Sequence, residues 1–238
     1  MPKANLEVSL IDAVAGDNLK DLALDYSEIV LDSFLKNECV KDIPFFGTLY
    51  RTYRATLSIR ENIFAKKVYS FLFQLKDIPQ QERKAFTEKV TKDENLKYKL
   101  GETLIVLLDK LDNLNKPEII GNLFKAVIEE NLSYDLFLRL SSMVYRAFLP
   151  DIISYKQFLT EDPQQKFNQE ELVNVGILKI SLVEKSRNSS VLSKKNEHEK
   201  YQKIECRLTQ YGALILKYGF NCNTTYVKAH LYDISHLV

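Results

Sequence analysis

The sequence predicts a mainly α-helical protein, a helical bundle over residues 1–132 followed over 133–238 by a smaller α+β module with a two-stranded hairpin. Three observations predict it. The 238 residues hold only 7 Gly and 6 Pro, too few for a sandwich or barrel that turns every ten residues. Apolar residues make up 45% and charged residues 27%, enough to bury a core and too apolar for wholesale disorder. Finally, apolar side chains recur at period 3.6 through most of the chain and switch to period 2 after Gly176.

Each element follows from local pattern. Residues 18–36 place Leu19, Leu22, Tyr26, Ile29, Val30 and Phe34 on one stripe, which predicts an amphipathic helix. Pro44 and Gly47 are expected to interrupt the chain, and a second helix is expected from about 49 to 75. Pro79 suits the first turn of a third helix over 79–91, because its missing amide has no partner there anyway. The clearest helix spans 94–114, where Leu96, Leu100, Leu104, Leu107, Leu108, Leu111 and Leu114 keep the helical period. Pro117 opens another over 117–130, and Ser133 is a natural cap for a helix over 134–148. Short connections predict that 94–114 and 117–130 pack as an antiparallel pair, burying Leu104, Leu108, Leu111, Leu123 and Val127.

After Pro150 the pattern changes. Residues 154–160 read as one short helix, and Asn168 caps another that stops at Gly176. Residues 177–184 and 201–207 alternate apolar and polar as half-buried strands do, with a polar, Lys-rich loop over 185–200 between them. A last helix over 208–218 is capped by Thr209 and closed by Gly219. Helix, helix, strand, basic loop, strand, helix is the order of a winged helix-turn-helix, and the likeness covers roughly residues 134–220. LVNVGI (172–177) resembles a recognition helix running into the first wing strand. YQKIECRLTQYGALILKYG (201–219) is similar to the strand, Leu-Thr, helix ending of winged-helix proteins.

Over the whole chain, the Ile-Pro-x-x-Gly-Thr entry at 43–48 and the Leu-Asp-Lys-Leu-Asp helix end at 108–112 resemble a group of uncharacterised bacterial proteins often tied to mobile elements. These in turn resemble abortive-infection proteins that pair a helical region with a C-terminal winged helix. The resemblance implies a phage-defence role and brings no catalytic residues with it.

Net charge is +1, but charge is segregated. Residues 1–43 carry nine acids against four lysines, and 179–228 carry ten bases against four acids. Two basic groups follow as candidate anion or nucleic-acid sites. Arg51, Arg54 and Arg60 alternate with Tyr50, Tyr53 and Phe64, a pattern able to hold phosphates and stack on bases, or to settle at a lipid headgroup layer. The competing reading makes those aromatics core and the arginines solvated. Lys185, Arg187, Lys194, Lys195, Lys200 and Lys203 lie in or beside the wing, where point charges can contact a phosphate backbone without reading sequence. The helix placed to enter a groove, NQEELVNV (168–175), carries two carboxylates and no base, which disfavours tight entry and suits protein docking or dimerisation.

Enzymatic features are sparse. Asp109 and Asp112 are the nearest approach to paired carboxylates, and beside Lys110 at a helix end they read as solvated. The spacings of Cys222, His230 and His236 (C-x7-H, H-x5-H), with Cys206 nearby, match no zinc module. No G-x-S-x-G elbow, dinucleotide fingerprint or phosphate loop occurs. The sequence therefore predicts a non-enzymatic protein with no metal, cofactor or small-molecule substrate. It predicts a protein partner or self-association, weak nonspecific nucleic-acid contact, or a membrane surface. A winged-helix DNA-binding regulator and a peripheral membrane effector are the alternatives. Three cysteines without repeated spacing, no secretory signal and no membrane-length apolar run predict reduced thiols and a cytoplasmic location.

Overall fold

The computed structural model describes residues 5–22, 38–53, 58–92, 94–187 and 199–222. It is mainly helical, with a small two-stranded antiparallel sheet, and the chain divides into two compact units. One is formed by residues up to Tyr145 together with Tyr218–Asn221; the other runs from Arg146 to Lys217 and resumes at Cys222.

In the first unit, α1 (Leu6–Ala15) starts where the Asn5 side chain accepts the Val8 amide at 3.1 Å. It buries Leu10, Ile11 and Val14 against α3 (Pro44–Tyr53), α5 (Gln80–Val90) and α6 (Glu94–Lys110). Gly101 of α6 makes this contact possible: a Cβ there would overlap the Glu7 backbone, lying 2.9 Å from its Cα and closer still to its carbonyl. α4 (Ile59–Phe73) opens on a reciprocal capping box between Ser58 and Glu61 and packs on α6 and on α7 (Lys116–Ile128). Phe124 of α7 is the hub of the core, with the rings of Phe71, Phe86 and Phe137 all 5.3–5.5 Å away. Phe137 comes from α8 (Tyr134–Arg146), whose first turn is held by the Ser133 hydroxyl accepting the Leu136 amide.

Several sequence expectations are corrected here. Pro44 separates the short helix α2 (Glu38–Lys41) from α3 as the first residue of α3, where a missing amide is harmless, and Gly47 breaks nothing, since its amide donates to the Ile43 carbonyl. The expected helix over 49–75 is two helices, α3 ending at Tyr53 and α4 capped by Ser58; residues 54–57 lie outside the described residues. Of the stretch 18–36, Asn18–Asp21 form a single 3-10 turn, and residues 23–37 lie outside the described residues. Leu104, Leu108, Leu111, Leu123 and Val127 are all buried, as expected. However, α6 and α7 each pack on α4 and α5 rather than chiefly on one another.

Three buried cations tie helix ends together. Arg83 of α5 is fully buried; its Nη1 donates to the Val14 and Gly16 carbonyls at 2.8 Å and its Nε to the Ile78 carbonyl at 3.1 Å. Lys67 of α4 donates to the Asp109 and Leu111 carbonyls at the end of α6. Lys116 of α7 donates to the Asp112 carboxylate at 2.7 Å and the Tyr145 carbonyl at 2.8 Å. Carbonyls left without amide partners at a helix C-terminus favour cations, so these side chains stabilise the turns that the apolar pattern alone leaves loose.

In the second unit, α9 (Leu149–Thr160) begins with Pro150 in its first turn and is longer than the helix expected over 154–160. Tyr155 and Phe158 close on Phe167, at 4.9 and 5.2 Å between ring centroids, and fix the connector to α10 (Gln169–Asn174). Strands β1 (Leu178–Arg187) and β2 (Glu199–Leu208) pair antiparallel from Leu178 opposite Leu208 to Arg187 opposite Glu199. The strands thus reach further into the 185–200 stretch than its polar composition predicts, and residues 188–198 lie outside the described residues. The last helix among the described residues, α11, runs Gln210–Leu214 and widens to a π turn over Ile215–Gly219.

Candidate nucleic-acid interface

The hairpin is built on a tightly specified base. The Asn168 side chain accepts the Glu171 amide to start α10, and Gly176, at φ 83°, turns the chain from α10 into β1. Across the hairpin, Thr209 does three things at once. Its hydroxyl accepts the Gly212 amide to cap α11, donates to the Gly176 carbonyl at 2.6 Å, and its amide donates to the Ile177 carbonyl at 2.9 Å. Gly212 follows because the first turn of α11 lies against that same carbonyl, and any Cβ there would collide with it. The Leu-Thr-x-x-Gly run is therefore a physical clamp between the start of β1, the end of β2 and α11.

The ladder sorts the strand residues onto two faces by their period of two. Positions 179, 185, 187, 203 and 207 share one face, placing Lys179, Lys185, Arg187, Lys203 and Arg207 there with two acids, Glu199 and Glu205. Glu205 lies 3.6 Å from Arg207 and answers part of that charge. Leu178 and Leu208 start the other face and are buried. Further out on it, Ile180 and Leu182 are 62% and 67% exposed. Of the wing bases expected to act together, the register brings together Lys185, Arg187 and Lys203. Lys200 falls on the opposite face, and Lys194 and Lys195 lie outside the described residues. Lys179 and Arg207, opposite each other in the ladder, are the bases that composition alone did not single out; strand parity was the signal.

The carboxylates of α10 have a local explanation. Glu170 and Glu171 sit in its first turn, where negative charge complements the positive end of the helix dipole. Such an end suits helix stability and repels phosphate.

The second basic group is dispersed. Arg51 is spent on its own helix, donating to the Gly47 carbonyl at 3.1 Å and the Thr48 hydroxyl at 3.3 Å. Arg60 pairs with Asp109 at 3.2 Å, and Arg54 lies outside the described residues. Phe45 and Phe46 are fully buried, Phe64 packs on Phe45, and Tyr50 receives the Lys41 ammonium over its ring. Among the described residues of 43–75, Ile59 is the large apolar side chain left exposed. Phe45 and Phe46 are core, Tyr50 and Phe64 are half-buried, the Tyr53 side chain lies outside the described residues, and the segment presents no described apolar face to a lipid layer.

The two carboxylates near the end of α6 are each matched to a cation, Asp109 to Arg60 and Asp112 to Lys116. Partial burial opposes ionisation of Asp112, but the hydrogen bond and charge of Lys116 outweigh it and hold the carboxyl below its usual range. Burial lowers the Lys67 pKa, with Asp109 and Asp112 opposing it. Among the described residues no three His, Cys, Asp or Glu side chains gather as a metal site; His230 and His236 lie outside them. Cys206 and Cys222 form no disulfide among the described residues. No helix among the described residues is long and apolar enough to cross a membrane. The chain matches no family model, no curated protein and no solved structure.

Proposed function

We propose that this chain is a non-enzymatic binding protein of the phage-defence type, whose C-terminal unit is a winged-helix-like module that holds a polyanion backbone on its hairpin. One observation carries the binding reading: the ladder gathers Lys179, Lys185, Arg187, Lys203 and Arg207 on one face. Lysine and arginine spaced along a ribbon neutralise phosphates without reading base edges, so binding is weak and indifferent to sequence. The carboxylates that start α10 deny this module the groove contacts that a sequence-specific regulator uses. The clamp around Thr209 and Gly212 supports the winged-helix reading, because it explains physically why Leu-Thr-x-x-Gly follows the second wing strand. The defence setting is supported by the likeness of residues 43–48 and 108–112 to uncharacterised bacterial proteins that in turn resemble abortive-infection proteins.

The test is the salt dependence of duplex binding, read as fluorescence anisotropy of two unrelated labelled duplexes. Nonspecific dissociation constants of about 10⁻⁴–10⁻⁶ M at physiological salt are expected for both duplexes. The log–log salt slope should fall by about 2 in the double variant Lys185→Ala, Arg187→Ala, because each lost phosphate contact removes about 0.9. Absence of binding at about 50 mM salt, or a slope unmoved by the double variant, overturns the reading.

A further inference from the structure

Among the described residues β2 pairs only with β1, so its second edge carries no ladder. The Thr209 amide donates to the Ile177 carbonyl directly opposite, which makes 177–209 a hydrogen-bonded pair and puts the following hydrogen-bonded pairs at the odd positions of β2. The even residues, Gln202, Ile204 and Cys206, therefore turn their amides and carbonyls toward the second edge. An edge of this length that no described strand pairs with is a template for another strand.

We propose that a second copy of this chain occupies it, β2 against β2 antiparallel about a two-fold axis at Ile204, giving a four-stranded sheet. Charge complementarity selects both the partner and the register. With Ile204 opposite its own mate, Lys203 lies opposite the mate's Glu205 and Glu205 opposite the mate's Lys203. Tyr201 lies opposite the mate's Arg207, and positions 200–208 all take part. The two Lys–Glu pairs fall at non-hydrogen-bonded positions, where facing residues approach most closely. Moving the axis to Lys203 or Glu205 sets like charges opposite each other. At Gln202 it opposes Glu199 to Glu205, and at Cys206 the ladder shrinks to residues 204–208 of β2. The free edge of β1 offers no equivalent, because its one acid, Glu184, lies on the face opposite Lys179, Lys185 and Arg187. Pairing through β2 also continues across the axis the sheet face that holds exposed Ile180 and Leu182. A two-stranded ribbon is marginal by itself, and two more strands supply what it lacks. The inference stands on this edge and does not require that the hairpin bind a polyanion.

The test is sedimentation velocity of the full chain over a concentration series, with two single variants and their mixture. The wild-type chain is expected to show a reversible monomer–dimer equilibrium. Lys203→Glu and Glu205→Lys each set like charges opposite one another twice per dimer and should each weaken association about tenfold. Mixed in equal amounts, the two variants regain wild-type affinity. In the mixed dimer a strand with acids at both positions 203 and 205 faces a strand with lysines at both, so each facing pair is again of opposite charge. Unfolded variants cannot produce that rescue. A wild-type chain that stays monomeric at every concentration, or a dimer unmoved by either variant, or singles whose mixture is no tighter than each alone, overturns the proposal.

Discussion

Replacing Gly101 by Ala tests the helical unit at its tightest point. In an exposed helix interior the change would stabilise by about 1 kcal/mol, since glycine is the poorer helix former. Here the new methyl would lie 2.9 Å from the Glu7 Cα and overlap the Glu7 carbonyl. Backbone on the far side cannot rotate away as a side chain can, so α1 must retreat by about 1 Å, loosening the buried contacts of Leu10, Ile11 and Val14. Overpacking of this kind costs about 3 kcal/mol, which exceeds the propensity gain and leaves a net loss of about 2 kcal/mol. Urea unfolding followed by far-UV circular dichroism reads it. With a slope of about 2 kcal/mol/M, the midpoint of the transition should fall by about 1 M at unchanged slope. The exposed neighbour Glu102→Ala serves as control and should move it by under about 0.3 M. A Gly101→Ala chain as stable as wild type or more so would refute the close approach of α1 to α6.

Three further outcomes follow from the same structure. Leu108→Ala should cost about 2–5 kcal/mol in the same unfolding assay, since the side chain is fully buried and its loss leaves a cavity; a loss below about half a kcal/mol would contradict that burial. Thr209→Ala should cost about 1–2 kcal/mol and Thr209→Ser much less, because serine keeps the hydroxyl that caps α11 and reaches the Gly176 carbonyl; equal losses would show that the methyl matters instead. The folded-state pKa of Asp112 lies below its unfolded value of about 3.9, so its contribution to stability is fully present above about pH 5 and disappears as the pH falls through the depressed value. Asp112→Asn should therefore be less stable than wild type at about pH 7 and converge on it near about pH 2; a gap independent of pH would separate the side chain from its Lys116 charge pair.

Legibility in the sequence followed the kind of force involved. The period of the leucines in α6 and of Ile119, Ile120, Leu123, Phe124 and Val127 in α7 identified the buried faces, because burial of apolar area imposes that period directly. The same pattern is silent on which helix covers the stripe. Both helices met α4, and only three-dimensional packing decides that. Proline misled where position overrode residue type: Pro44 and Pro150 begin helices, and their rigid φ suits a first turn as well as a break. At the hairpin, alternation located both strands. Extension to Arg187 and Glu199 was hidden because polar residues on both faces look like loop.

The cations show why charge pattern alone located the candidate site only in part. Lys67, Arg83 and Lys116 carry no sequence mark that separates them from surface residues, yet each is buried with helix-end carbonyls around it. Arg60 stays exposed and pairs with the Asp109 carboxylate near the same end of α6 that Lys67 caps. Among the bases of 44–67, Lys67 thus answers helix-end carbonyls, Arg60 a neighbouring carboxylate and Arg51 its own helix. Bases in the hairpin face a different situation. A two-stranded ribbon has no helix ends to anchor, so the register sets Lys179 opposite Arg207 and lines up Lys185, Arg187 and Lys203 on the same face. Like charges opposite one another destabilise a free ribbon. Glu205 beside Arg207 and Glu199 opposite Arg187 offset part of that repulsion, and five bases against two acids still leave the face positive. The proposed polyanion binding rests on that remaining positive charge, which the register sets and the count of lysines does not.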